Sequence, residues 1–164
     1  MSVWGFAEVF DNALPLRLPG GMTTRIPTIA GYTALKLAAW LDRSAYNEYK
    51  DASDIATAIY WYSESKAVED RIYETDHGNE LLIEESMNAS MASARLMGED
   101  IAATIGQTRV SELAARWPGS RSGQLGSSMA VVNAPRWPSA LRTRRELAEA
   151  MERGIGLASS GQSL

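Results

Sequence analysis

Residues 26–62 read IPTIAGYTALKLAAWLDRSAYNEYKDASDIATAIYWY, and this stretch decides the architecture. Pro27 has no amide N–H and closes the segment before it, while Thr28 offers a hydroxyl to the unpaired donors of a helix start. Residues 29–41 are then apolar on nearly every face, through Ile29, Tyr32, Leu35, Leu37, Trp40 and Leu41, so the pattern predicts a central, buried helix. Lys36 is the only charge inside it. Two readings of that lysine stay open: a flexible stem that carries its ammonium to the surface, or a cation aimed into a cleft. After a polar and aromatic segment, the spacing predicts a second helix over 50–62, with Ile55, Ala58, Ile59 and Tyr62 on its buried face. Asp51 and Asp54 stand three residues apart on its first turns, so both carboxylates leave one side, near the positive end of the helix dipole. Acids in a first turn commonly do no more than complement that dipole. Tyr60, Trp61 and Tyr62 read as helix packing, because three consecutive helical residues point in three directions.

Working outward, Phe6, Val9, Phe10 and Ala13 follow the spacing of one buried helical face over 6–13. Leu14, Leu16 and Leu18 alternate with Pro15 and Arg17, and Pro19-Gly20-Gly21 supplies a turn, which predicts a β-hairpin over 14–26. A lone hairpin is marginal in water and needs further strands or a helix against it. Downstream, helices are expected over 64–74 and 80–86, with His77 solvated in a loop at 75–79. Met87, Met91, Met97, Ile101 and Ile105 mark another amphipathic helix, broken in sequence by Gly98. The density of Gly, Pro and Ser over 118–139 predicts a flexible linker. Residues 140–153 read as a short basic helix, with Ser139 as N-cap, Gly154 as stop, and a thin stripe of Leu141, Leu147 and Met151. The remainder to 164 reads as disordered tail.

Composition narrows the chemistry. The chain has 164 residues, 45% of them hydrophobic and 22% charged, which suits one folded unit with a core. There is no cysteine and only one histidine, so disulfides, thiolate nucleophiles and multi-histidine metal centres are excluded. The net charge of −4 opposes nonspecific coating of nucleic acid. It is unevenly spread: ten Lys and Arg face seventeen Asp and Glu up to Trp117, while six Arg face three Glu beyond it. No apolar run is long enough to span a membrane, and the N-terminal residues lack the basic and apolar regions of a secretory signal, so a cytoplasmic location is expected.

Three pieces of this sequence resemble a known family. Ile26-Pro27-Thr28 with Gly31, then Leu35-Lys36-Leu37 with Ala39-Trp40 and Asp42-Arg43, then Lys50-Asp51-Ala52 with Asp54-Ile55, look like the second conserved block of the AbiEii-type nucleotidyltransferases. Many of these are toxins of bacterial toxin–antitoxin or phage-defence systems. Residues 13–21 and 93–102 also look familial, so the resemblance spans about 1–117. It implies an α+β, mostly helical fold in which a remnant hairpin of a nucleotidyltransferase-type sheet packs on a helical bundle. It also implies transfer of a nucleotidyl group from a nucleoside triphosphate, with magnesium, to RNA or another acceptor. Lys36 matches the lysine that meets the phosphates. Asp51 and Asp54 match the acids of that block, as metal ligand or as orienters of lysine and acceptor, and Arg43 and Lys50 stand where phosphate contacts or pairing with those acids are expected.

The family's first block, a Gly-Ser turn followed by an Asp-x-Asp pair on a strand, does not occur. The Gly-Ser pairs, Gly119-Ser120 and Gly126-Ser127, lie late in the chain, and no aspartate follows Asp100. Two-metal phosphoryl chemistry relies on such paired acids. The expectation is therefore a truncated or late-started nucleotidyltransferase-like protein, its domain covering 1–117, that is not catalytic alone. The alternative is a non-enzymatic interaction module that binds a cognate antitoxin or sister subunit, or dimerises through the exposed hairpin edge.

Overall fold

A computed structural model describes residues 4–46, 50–117, 121–131 and 134–157. The chain is mostly helical and carries one two-stranded antiparallel hairpin. The order is α1 (Phe6–Asp11), β1 (Leu14–Arg17), β2 (Thr23–Ile26), α2 (Ile29–Arg43), a short 3-10 turn (Ser44–Tyr46), α3 (Lys50–Ser63), α4 (Lys66–Glu74), α5 (Asp76–Glu84), α6 (Ala89–Arg116), α7 (Arg121–Ser128) and α8 (Leu141–Ile155). This is the expected α+β, mostly helical class. No helix among the described residues is long and apolar enough to cross a membrane.

The central element is α6, which packs on α1, α2, α3, α4, α5 and α8. The apolar helix α2 begins where the sequence predicts, with the Thr28 hydroxyl accepting from the Gly31 N–H at 3.0 Å. Ala34, Leu37 and Trp40 are fully buried, and Trp40 meets Trp117 at the end of α6 with ring centroids 5.7 Å apart. Helix α1 follows the expected face only in part. Val9 and Ala13 are buried, whereas Phe6 and Phe10 stack on each other at 6.1 Å and are 55% and 47% exposed. A helix of six residues buries too narrow a stripe to cover both rings.

The hairpin pairs Leu14 with Ile26, Pro15 with Arg25, Leu16 with Thr24 and Arg17 with Thr23. The Leu18 N–H donates to the Met22 carbonyl at 2.8 Å, so the bonded pairs are those of residues 14, 16 and 18, and the N–H groups of Thr23 and Arg25 face outward. Pro15 occupies an outward position of β1, where it offers no donor and blunts that edge. Leu14, Leu16, Leu18, Met22 and Ile26 share one face, and all are exposed.

The C-terminal third departs most from its expected organisation. The stretch expected as a linker contains α7, whose Leu125 is fully buried, followed by the fully buried Met129; positions 118–120 and 132–133 lie outside the described residues. Helix α8 is no thin-striped appendage: Leu147, Ala148, Ala150, Met151 and Ile155 are all buried, while Leu141 is exposed. Glycine makes this possible. A Cβ on Gly98 would sit 2.2 Å from the Met151 carbonyl oxygen, one on Gly154 would sit 2.0 Å from the Arg95 carbonyl oxygen, and one on Gly126 would sit 2.5 Å from the Arg145 Cα. Gly98 therefore does not break α6; it lets α8 approach backbone to backbone. The break falls at Gly106, whose φ of +76° favours glycine. Likewise Gly156, at φ +86°, ends α8 in place of Gly154, and Ala140 rather than Ser139 precedes its first turn. The tail beyond 157 lies outside the described residues.

The arginines of α8 are tied internally. Arg142 pairs with Glu146 at 2.8 Å, Arg153 with Glu85 at 2.8 Å, and Arg144 donates to the Met129 carbonyl at 2.8 Å. His77 is also corrected. It lies in the first turn of α5, capped by Thr75, and its Nε2 meets Glu99 of α6 at 2.6 Å.

Candidate functional site

Helices α2 and α3 run antiparallel, so residues late in α2 face residues early in α3. Lys36, one turn beyond Tyr32, reaches across the seam to Asp51 Oδ1 at 3.2 Å and Asp54 Oδ2 at 2.7 Å. Arg43 Nη1, two turns further on, closes on Asp51 Oδ2 at 2.9 Å. Asp51 is 1% exposed, so its carboxylate is an internal bridge between two cations rather than a first-turn cap turned to solvent. The Lys36 ammonium also lies 5.6 Å from the centroid of the Tyr32 ring.

The lysine is thus neither snorkelled away from the acids nor free. Its hydrogen bond to Asp54 raises its pKa above the ordinary lysine value, burial opposes that rise, and Asp51 reinforces it, so the group stays charged. An ammonium has three donors and two are spent on the acids, which leaves one for an incoming acceptor. Lys36 retains 26% exposure of its side chain. Lys50 is not brought in: it is exposed on the first turn of α3 and joins none of these ion pairs.

Beside the charges, toward the start of α2, a cleft of about 290 Å³ is lined by residues that include Ile29, Tyr32, Asp54, Thr57, Ala58 and Trp61. Trp61 is 63% exposed, so its expected role as packing does not hold; of the aromatic triplet Tyr62 packs inward and Trp61 looks into the cleft. Reading one helix at a time conceals this, since the ring that shares the cleft with Trp61 is Tyr32 on the neighbouring helix.

Magnesium, implied by the resemblance, does not find a ready donor set here. Both oxygens of Asp51 are held by cations, Asp54 is paired with Lys36, and no group of three or more His, Asp or Glu among the described residues is arranged to hold a metal ion.

A second polar cluster escaped the sequence reading. Tyr62 donates to Asp100 Oδ2 at 2.6 Å, and Arg71 grips the same carboxylate through two bonds of 2.7 and 2.8 Å. Burial and the bond to Asp100 push the Tyr62 hydroxyl well above the ordinary phenol range. Burial would raise the Asp100 carboxyl, but the bonds from Arg71 and Tyr62 outweigh it and hold it below the usual carboxylate value. These residues come from three helices with no fixed spacing, so no local pattern announces them. They tie α3, α4 and α6 together beside a hollow of about 440 Å³ that Leu14 also lines.

No protein-family model matches the chain, and no curated protein or solved structure matches it.

Proposed function

We propose that this chain is a nucleotidyltransferase-like protein of the AbiEii type that keeps the phosphate-gripping lysine and acids, lacks the Gly-Ser and Asp-x-Asp block, and does not transfer nucleotides by itself. One observation supports the reading above the others. Lys36, the only charge in the apolar run 29–41, meets both acids of the Lys50-Asp51-x-x-Asp54 motif within 3.2 Å, and Asp54 also lines the cleft. Lys36 would give its remaining N–H to a phosphate oxygen, with Asp51 and Asp54 fixing its position. Arg43 is 52% exposed and stands behind it.

The charges of Lys36, Arg43, Asp51 and Asp54 sum to zero, so the pocket alone is a weak trap for a polyanion. Tight binding would require the missing acids and their magnesium from a partner chain. The test is incubation of the purified chain with labelled nucleoside triphosphates, magnesium and an RNA pool. The expected result is no transfer, together with weak triphosphate binding that Lys36→Met abolishes. Robust transfer lost in Lys36→Ala would overturn the claim of incapacity, and absence of triphosphate binding would overturn the whole reading.

The hairpin favours a second reading, that of an interaction module. The outward donors of β2 invite another strand, and a second copy fits stereochemically. With a twofold axis at Thr24, Thr23 of each copy faces Arg25 of the other, Met22 faces Ile26, and no like charges oppose. Sedimentation checks this: a dimer that Thr23→Pro dissociates supports it, and a monomer at high concentration contradicts self-pairing. An antitoxin or sister subunit would use the same edge.

A further inference from the structure

We propose that the cleft between Tyr32 and Trp61 is a slot for an amino-bearing nucleobase, an adenine or guanine ring stacked on Trp61 with its N–H groups turned to Asp54 and Thr57. The inference rests on the nucleotide reading of the Lys36 site and adds to it which bases are taken and where.

Three observations carry it. First, the seam is divided along its length: Tyr32, Ile29, Ala58 and Trp61 make one end apolar and aromatic, while Lys36, Arg43 and Asp51 make the other end charged. From Trp61 to Asp54 is two turns of α3, about 10 Å, so a ligand lying along the seam meets an apolar, aromatic end and a charged end where the Lys36 ammonium would face a phosphate. Second, Trp61 is 63% exposed and shares the cleft with a tyrosine from the other helix, which gives a stacking surface that folding alone does not require. Third, the polar groups that α3 turns to the cleft are acceptors, while the hydroxyls of Thr28 and Tyr32 on the α2 side can donate. The Thr57 hydroxyl spends its hydrogen on the Ser53 carbonyl at 2.9 Å and keeps its lone pairs, and Asp54 is a carboxylate with only Oδ2 held by Lys36. The exocyclic amine of adenine or guanine suits the acceptors of α3, a ring nitrogen or carbonyl suits the hydroxyls of α2, and a purine offers Trp61 a larger stacking face than uracil. The cleft volume of about 290 Å³ accommodates a purine ring.

The test uses the intact chain and separates the two ends of the ligand. Adenosine, guanosine, uridine and inorganic tripolyphosphate are titrated by calorimetry into the wild type, Trp61→Leu and Lys36→Met, with circular dichroism to confirm folding. Because Trp61 is exposed, its replacement leaves the core intact. The expected result is that adenosine and guanosine bind more tightly than uridine and that Trp61→Leu weakens them about tenfold, within the range of a lost stacking partner, without changing tripolyphosphate binding. Nucleoside binding that ignores Trp61→Leu, or that favours uridine, overturns the slot. Tripolyphosphate binding that Lys36→Met removes, with no nucleoside binding, also overturns the slot but leaves the phosphate reading standing. Nucleoside binding sensitive to Trp61, with no tripolyphosphate binding, keeps the slot and removes the phosphate reading. Binding of neither removes both.

Discussion

Two helix pairs in this molecule solve the same packing problem in opposite ways. At the α6–α8 seam, Gly98 and Gly154 let main chain meet main chain with the buried Ala148, Ala150 and Met151 beside them, and a cleft of about 300 Å³ opens only toward the start of both helices, where Met91, Ser93, Thr143 and Leu147 line it. At the α2–α3 seam, the apolar core of Leu37, Ala52 and Ile55 gives way on the outer side to Lys36, Arg43, Asp51 and Asp54, and then to a cleft. Around the two glycines the seam is closed backbone to backbone. A buried ion-pair cluster contributes little net stability compared with apolar side chains of the same volume. The charged seam is therefore the one whose composition asks for a reason other than folding.

The contrast can be broken most severely at the closed seam. Gly154→Val drives its side chain into the Arg95 carbonyl and the Glu99 amide, both of them main chain. The expected loss is about 3 kcal/mol or more, the upper end for overpacking, with a drop in Tm of roughly 6–12 °C for a chain of this size by thermal unfolding. Asp51→Ala comes next. It leaves Arg43 and Lys36 facing each other without their bridge, at a cost of about 2–3 kcal/mol in urea unfolding, moderated because both cations reach solvent. The paired replacement Lys36→Met with Asp54→Leu sharpens the comparison. The two side chains are 26% and 30% exposed, so stability should change by about 1 kcal/mol or less, while triphosphate binding disappears. A large stability loss from that pair would make the cluster a structural device after all.

The smallest effect is a pH dependence beside the closed seam. The bond to Glu99 raises the His77 pKa above 6.5, burial opposes slightly, and Glu80 adds to the rise. A raised folded-state value means that the protonated ring stabilises the fold below pH 6.5, and that the contribution fades as pH climbs through the folded pKa. His77 is 56% exposed, so the change is small; proton NMR reads it cleanly because it is the only histidine. A midpoint at or below 6.5 would contradict the contact with Glu99.

Local patterns carried much of this fold because they act over a few residues. Thr28 caps α2 as its hydroxyl and position require, Pro19-Gly20-Gly21 turns the hairpin with Gly20 and Gly21 both at positive φ, and α3 spans Lys50–Ser63 close to its expected bounds. The grouping of Lys36 with Asp51 and Asp54 was legible as a motif, although only the antiparallel seam shows that Asp51 is interior and that Lys50 stands apart. Arg71, Asp100 and Tyr62 were not legible together, since their meeting depends on how three helices cross. The C-terminal third was not legible, since its glycine, serine and alanine look flexible or neutral in any local window. Where backbones touch, the absence of a side chain is itself the packing feature.

By itself, the sequence determined the helical class, the hairpin, the burial of α2 and the types of charge set between α2 and α3, because periodicity, caps and turns are properties of neighbouring residues. Tertiary structure alone decided that Gly98 is a contact rather than a break, that α7 and α8 belong to the core, and that Trp61 shares a cleft with Tyr32. Each of those depends on the distance between segments far apart in the chain, and no local pattern encodes it.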